Sequence, residues 1–189
     1  MEIPIETSGR HIHLSKKDLE KLFGKGYKLK KMKDLYQPSD FAAEETVNIQ
    51  GEGVRVLTIR VIGPVRSKTQ VELSRTDAIF LGMAVPLRES GNIKGTPGAV
   101  LIGPENKVKI EEGVINSQRH IHCSIGEAKK LGLKNKMLVS VQTEGQSPVT
   151  YHNVLVKIDK NYRLCMHLDT DEGNAAGIIR SGKGKILFN

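Results

Sequence analysis

The sequence predicts a mainly β protein: two small β-barrel domains with short capping α-helices, related by internal duplication. Three observations carry this. Gly and Pro interrupt the chain at short intervals (Gly51, Gly53, Gly63-Pro64, Gly91, Gly95, Pro97-Gly98, Gly103-Pro104, Gly113), leaving segments of strand length. Those segments are rich in β-branched residues, while helical signals are few and short. Finally, Arg10-His11-Ile12-His13-Leu14-Ser15 recurs as Arg119-His120-Ile121-His122-Cys123-Ser124, each copy leading into a capped helix.

Along the chain, Ser15-Lys16-Lys17-Asp18 reads as an N-cap with an acidic residue at the third helical position, as in a capping box, and starts a helix through Leu19 to Phe23. Val54 to Ile62 carries β-branched residues on both alternating faces and is expected as a strand buried on both sides. Thr69 to Ser74 alternates Gln70, Glu72 and Ser74 with Val71 and Leu73, a short strand with one polar face. Ala99 to Ile102, Met137 to Thr143, Val149 to Ile158, Tyr162 to Leu168 and Lys185 to Phe188 are further strands. Ser124-Ile125-Gly126-Glu127 is the second cap, opening a helix through Ala128 to Leu131. The repeat places one domain at 10–117 and a second at 118–189, the latter small enough to recruit residues 1–9 as a strand.

Composition narrows the function classes. With 38% hydrophobic and 26% charged residues, the 189-residue chain has the balance of a soluble folded protein, which excludes disorder and collagen-like architecture. The longest apolar stretch, Ala78 to Leu87, is broken by Gly82 and Pro86 and falls short of the roughly 18 residues a membrane helix needs. Met1 to Glu6 carries no basic and apolar signal regions, so the expected location is cytoplasmic, with no membrane partner. Cys123 and Cys165 are expected as free thiols there. A net charge of +8 points to an anionic partner, and with no Trp and only four Phe and four Tyr the chain lacks the stacking platforms of single-strand binders. A small phosphorylated ligand is therefore expected ahead of nucleic acid.

The chemistry centres on histidine. At 6 His in 189 residues, chance places roughly 0.2 His-x-His pairs in the chain, yet two occur, in equivalent places of the repeat. In a strand, i and i+2 share a face, so His11 with His13, and His120 with His122, form two-toothed metal clamps. Hydrogen-bonded structural histidines are the alternative. Zinc needs a third protein ligand. For the second pair, His167, at a strand end, is preferred over His152, which lies in the polar segment Thr150 to Asn153; Cys165 shares the parity of His167 and is a soft competitor. The first pair has no third His, so a carboxylate must complete it, and Glu72 on the polar strand face is chosen over a merely solvated role. Arg60, on a face shared with Val54, Val56 and Ile62, calls for an anionic partner, and Arg66 follows Gly63-Pro64 where it can fork onto phosphate or carboxylate; structural ion pairs are the alternative for both.

These residues resemble the PduL-type phosphotransacylase (phosphate propanoyltransferase) family along nearly the whole chain. The resemblance rests on Ser8 to Ser15, Gln37-Pro38, Ile62 to Arg66, Gln70 to Ser74, Thr76-Asp77, Pro86 to Gly91, Arg119 to His122 and Met166 to Ala175. It implies two β-barrel domains, two zinc ions in the cleft between them and a homodimer. It implies one zinc on His11, His13 and Glu72 and another on His120, His122 and His167. It also implies phosphate at Arg66 with Gln70, and coenzyme A contacts at Ser8, Gly9, Arg10, Lys33, Arg60 and Asn174. The chain departs from the family at Gly9, Ser39, Cys123 and Cys165, none of which removes a proposed metal ligand. Encapsulated members carry an amphipathic N-terminal extension, whereas 9 residues precede Arg10 here, so the expectation stays cytoplasmic rather than microcompartment lumen.

The implied reaction interconverts a short-chain acyl-CoA plus phosphate with an acyl phosphate plus coenzyme A, by direct attack in a di-zinc cleft. Two other classes use the same residues: a zinc-dependent acyl-CoA thioesterase, with water as nucleophile, and a non-enzymatic polyanion-binding β-barrel with structural zinc.

Overall fold

The computed structural model describes residues 1–188. They separate into two units, Arg10–Ser117 on one side and, on the other, Met1–Gly9 with the chain from Gln118 onward. The architecture is mainly β with few short helices, a closed barrel in one unit and a curled half-barrel sheet in the other. None of the described helices is long and apolar enough to cross a membrane.

The chain opens with β1 (Glu2–Ser8), which belongs to the barrel unit. The Arg10–Ser117 unit follows with β2 (His11–His13), α1 (Lys16–Phe23), β3 (Lys31–Asp34), β4 (Phe41–Gln50), β5 (Val56–Gly63), β6 (Gln70–Glu72), α2 (Arg75–Phe80), β7 (Leu87–Arg88), β8 (Ala99–Ile102), β9 (Lys107–Ile110) and β10 (Val114–Ser117). Its sheet runs β7-β10-β6-β2-β5-β4-β8-β9, with β3 paired to β4. Ile12, Leu14, Leu22, Ile49, Ile59, Val61, Val71 and Leu101 fill its core.

Burial corrects the sequence expectation for β5. Val54 and Val56 are exposed, and only the later half, from Ile59 to Gly63 apart from Arg60, is buried. Arg60 consequently has no apolar face to occupy. Its Nη1 donates to the carbonyl oxygens of Ala43 (3.1 Å) and Glu44 (2.7 Å), beside the register shift in β4, so within this unit backbone carbonyls hold the guanidinium. The helix cap at Ser15 also differs from a full capping box. Ser15 Oγ accepts from the Asp18 amide, but Asp18 is one methylene too short to return to the cap; Thr69 Oγ1 takes the Ser15 N–H at 2.9 Å and donates to Asp18 at 2.6 Å instead.

The barrel unit adds β11 (His120–Cys123), α3 (Ile125–Leu131), β12 (Leu138–Thr143), β13 (Thr150–Ile158), β14 (Cys165–Asp169), α4 (Thr170–Ala175) and β15 (Ser181–Leu187). Its strands close in the order β1-β14-β11-β13-β12-β15, with β15 pairing back onto β1. Ile3, Ile5, Ile121, Val141, Val156, Met166 and Leu168 point inward, with Cys123 among them. Gly184 is required in that interior: a Cβ there would come within 2.8 Å of Ile5 Cδ1 and 2.9 Å of the Gln142 carbonyl oxygen. Tyr162 to Leu164 lie outside the strand, because the chain has just left a turn in which Asp159 accepts the N–H groups of Asn161 and Tyr162, and β14 begins at Cys165.

Candidate metal centres

Each unit builds its cluster from the same parts. The His-x-His strand lies between a parallel neighbour and an antiparallel one: β2 between β5 and β6, β11 between β13 and β14. In β2 the core takes Ile12, so His11 and His13 share the other face; in β11 the core takes Ile121 and Cys123, so His120 and His122 face outward. The antiparallel neighbour supplies the third group. Glu72 stands opposite His11 in the β2–β6 register, and His167 stands opposite His120 in the β11–β14 register. Two residues later the neighbour ends in a helix cap, Ser74 for α2 and Asp169 for α4.

Both triads bring one ligand atom per residue within 4.8 Å of one another, His11, His13 and Glu72 in one unit and His120, His122 and His167 in the other. The donor atoms suit a metal. His13 Nδ1 lies 3.2 Å from the Ile62 carbonyl oxygen and His120 Nδ1 lies 2.8 Å from that of Gln118. A carbonyl only accepts, so each Nδ1 carries a proton toward it, and the Nε2 of such a ring in its neutral form keeps a lone pair for a metal. Burial first, then the charges of His11 and Arg66, push His13 down to about 3, which holds it as the neutral ligand form. Three nitrogens, or two nitrogens and a carboxylate, fit zinc and leave one tetrahedral position open, as catalytic zinc sites do.

Glu72 is held by its own shell. Its Oε1 accepts from Gln70 Nε2 at 2.7 Å and from Ser90 Oγ at 2.9 Å, Ser90 Oγ in turn accepts from Gln70 at 2.9 Å, and the Gly91 N–H fixes Gln70 Oε1 at 2.7 Å. Oε2 lies 3.7 Å from His11 Nε2. Gln70, expected beside phosphate, is thus bonded to the carboxylate it orients. Arg66 is 37% exposed, with Nη2 3.6 Å from Asp40, a loose pairing that an incoming anion can replace. Around the second triad, the Tyr162 ring lies 4.0 Å from that of His122.

The arginine that precedes each His-x-His strand is a brace. Arg10 donates to Asp77 at 2.8 Å and to the Thr58 carbonyl, and Arg119 donates to Glu172 at 2.6 Å and to the His152 carbonyl. Asp77 and Glu172 both stand at the third position of their helices. Burial is the main cause that raises the Glu172 carboxyl. The sequence reading missed this brace, although the repeated Arg was its signal.

The remaining candidates are placed as follows. His152 is exposed, bonded through Nδ1 to Ser140 and outside the triad. Lys33 on β3, Asn174 in α4 and Gly9 are exposed, and Ser8 ends β1 half-buried. Both thiols are buried, and burial pushes Cys123 up to about 11 and Cys165 up to about 12, far from a thiolate nucleophile near neutrality.

A mainly β chain carrying two equivalently placed three-residue clusters, one of two histidines and a glutamate and one of three histidines, is the class that this geometry defines. The family model for phosphate propanoyltransferase matches residues 4–179. Proteins named phosphate propanoyltransferase are similar throughout: that of Thermotoga maritima is 47% identical over 175 residues, 92% of this chain and 83% of the relative. That of Salmonella typhimurium is 47% identical over 176 residues, 93% of this chain and 83% of the relative. That of Listeria monocytogenes is 39% identical over 185 residues, 98% of this chain and 87% of the relative. The chain belongs to the phosphate propanoyltransferase family.

Proposed function

We propose that this phosphate acyltransferase exchanges a short-chain acyl group, acetyl or propanoyl, between coenzyme A and phosphate by direct attack, with one zinc ion on each triad. The observation that carries the reading is the duplicated triad. A zinc ion bound there supplies a Lewis acid with an open position for sulfur or oxygen.

The protein's own groups do the rest. Arg66, loosely held by Asp40, grips the phosphate and aims an oxygen at the thioester carbon. Phosphate is anionic near neutral pH, so no protein base is needed to generate the nucleophile. The new oxygen–carbon bond forms as the carbon–sulfur bond breaks, and coenzyme A leaves as a thiolate that is protonated from solvent. Lys33 and Asn174 are exposed and suited to the phosphates and amides of coenzyme A, with Ser8, Gly9, Arg10 and Arg60 as further contacts. Because Cys123 lies in the barrel core and Cys165 is buried and protonated, neither is an acyl carrier.

The test is release of coenzyme A thiol from acetyl- and propanoyl-CoA with and without phosphate. Release should require phosphate, and initial-rate lines against the two substrates should intersect. Release in phosphate-free buffer at the same rate would assign a thioesterase, and parallel lines with an isolable acyl-protein would make a side chain the carrier.

A further inference from the structure

The outward face of β14 carries a second set of ligands. Cys165 and His167 project from the same side of that strand, and His167 is flanked by His120 on β11 and by Glu6 on β1. Ligand atoms of Glu6, Cys165 and His167 lie within 4.8 Å of one another, as those of the His120, His122 and His167 triad do. Carboxylate, thiol and imidazole form a donor set for a borderline or soft divalent cation. A neutral imidazole offers a single lone pair, so His167 can serve one ion at a time.

We propose that Glu6, Cys165 and His167 form a second seat for a thiophilic divalent cation, zinc in excess or cadmium, which fills at the expense of the His120, His122 and His167 triad. On binding, the Cys165 S–H bond is exchanged for a sulfur–metal bond and the proton leaves to solvent, with no change of oxidation state. That occupancy of this seat inhibits acyl transfer rests on the function proposed above; binding itself does not. Cys123 cannot take part, since it sits inside the barrel among Ile3, Ile121 and Val156.

Cobalt titration of the metal-free full chain separates the two sets, because only the second contains sulfur. In the wild type, visible d–d bands should develop first and a near-ultraviolet thiolate-to-cobalt band only at excess cobalt. His120→Ala should bring the thiolate band forward to the first equivalents. Cys165→Ser should abolish it, Cys123→Ser should keep it, and Glu6→Gln, a change at a half-buried side chain, should move it to higher cobalt. A thiolate band with the first equivalents in the wild type, before any histidine-only spectrum, would support the seat while removing the triad as the preferred site. Folded wild-type and His120→Ala proteins that show no thiolate band at any loading would overturn the proposal.

Discussion

Glu72 and His167 hold the same place in the two halves of the duplication. Each stands across an antiparallel pair from the first histidine of a His-x-His strand and two residues before a helix cap. The duplication therefore extends beyond the repeated hexapeptide to the third ligand, although one copy uses a carboxylate and the other an imidazole. The Glu72 carboxylate is oriented by Gln70 and Ser90.

Ser90→Ala should accordingly weaken metal binding at the first triad and leave the second unchanged. Loss of a hydrogen bond that orients a ligand typically costs about 10- to 100-fold in metal affinity. Chelator competition, read as two separate dissociation steps, should show one step shifted by that amount. Two unshifted steps would reduce Ser90 to a loop contact.

Arg66→Ala should raise the phosphate KM steeply or collapse kcat while the thermal midpoint moves little, since the side chain is 37% exposed and its ion pair with Asp40 spans 3.6 Å. The KM for acyl-CoA should change much less. Kinetics like those of the wild type would place Arg66 in a structural pair with Asp40.

The two arginine braces should differ in strength. Arg119 and Glu172 are 26% and 17% exposed at their side chains, whereas Arg10 is 43% exposed opposite Asp77. Both substitutions strand a largely buried carboxylate, Asp77 at 12% and Glu172 at 17% exposure, but the more exposed Arg10 already shares its charge with solvent, so Arg119→Met should cost about 2 kcal/mol and Arg10→Met about 1 kcal/mol. Urea unfolding followed by circular dichroism checks the order, and equal losses would contradict it.

Much of this was legible in the residues. The mainly β class followed from short β-branched segments between glycines and prolines, and β8 matches its expected bounds of Ala99 to Ile102. Strand parity was enough to pair His11 with His13 and His120 with His122, because the i, i+2 rule needs no tertiary information. It left Cys165 beside His167 and a solvated role for Glu72 open, and only the cross-strand register brings Glu72 and His167 opposite the first histidine of each pair. Other elements were hidden by tertiary context. β4 reads Phe41-Ala42-Ala43-Glu44-Glu45, helix-favouring residues with a glutamate at an inward position; only the fold shows that the Tyr27 hydroxyl and Lys30 N–H satisfy Glu45. Ser181-Gly182-Lys183-Gly184 reads as a loop, because the neighbours that exclude a Cβ at Gly184 come from Ile5 and Gln142, far away in sequence. The carbonyl partners of Arg60 were hidden for a similar reason: they lie beside it only where β4 shifts register.

Zinc content tests the central claim most directly. Protein purified without chelator should hold two equivalents of zinc per chain, and His11→Ala and His167→Ala should each hold one, the latter because it disables every ligand set that uses that imidazole. Full phosphate acyltransferase activity in protein that contains no zinc would contradict the account.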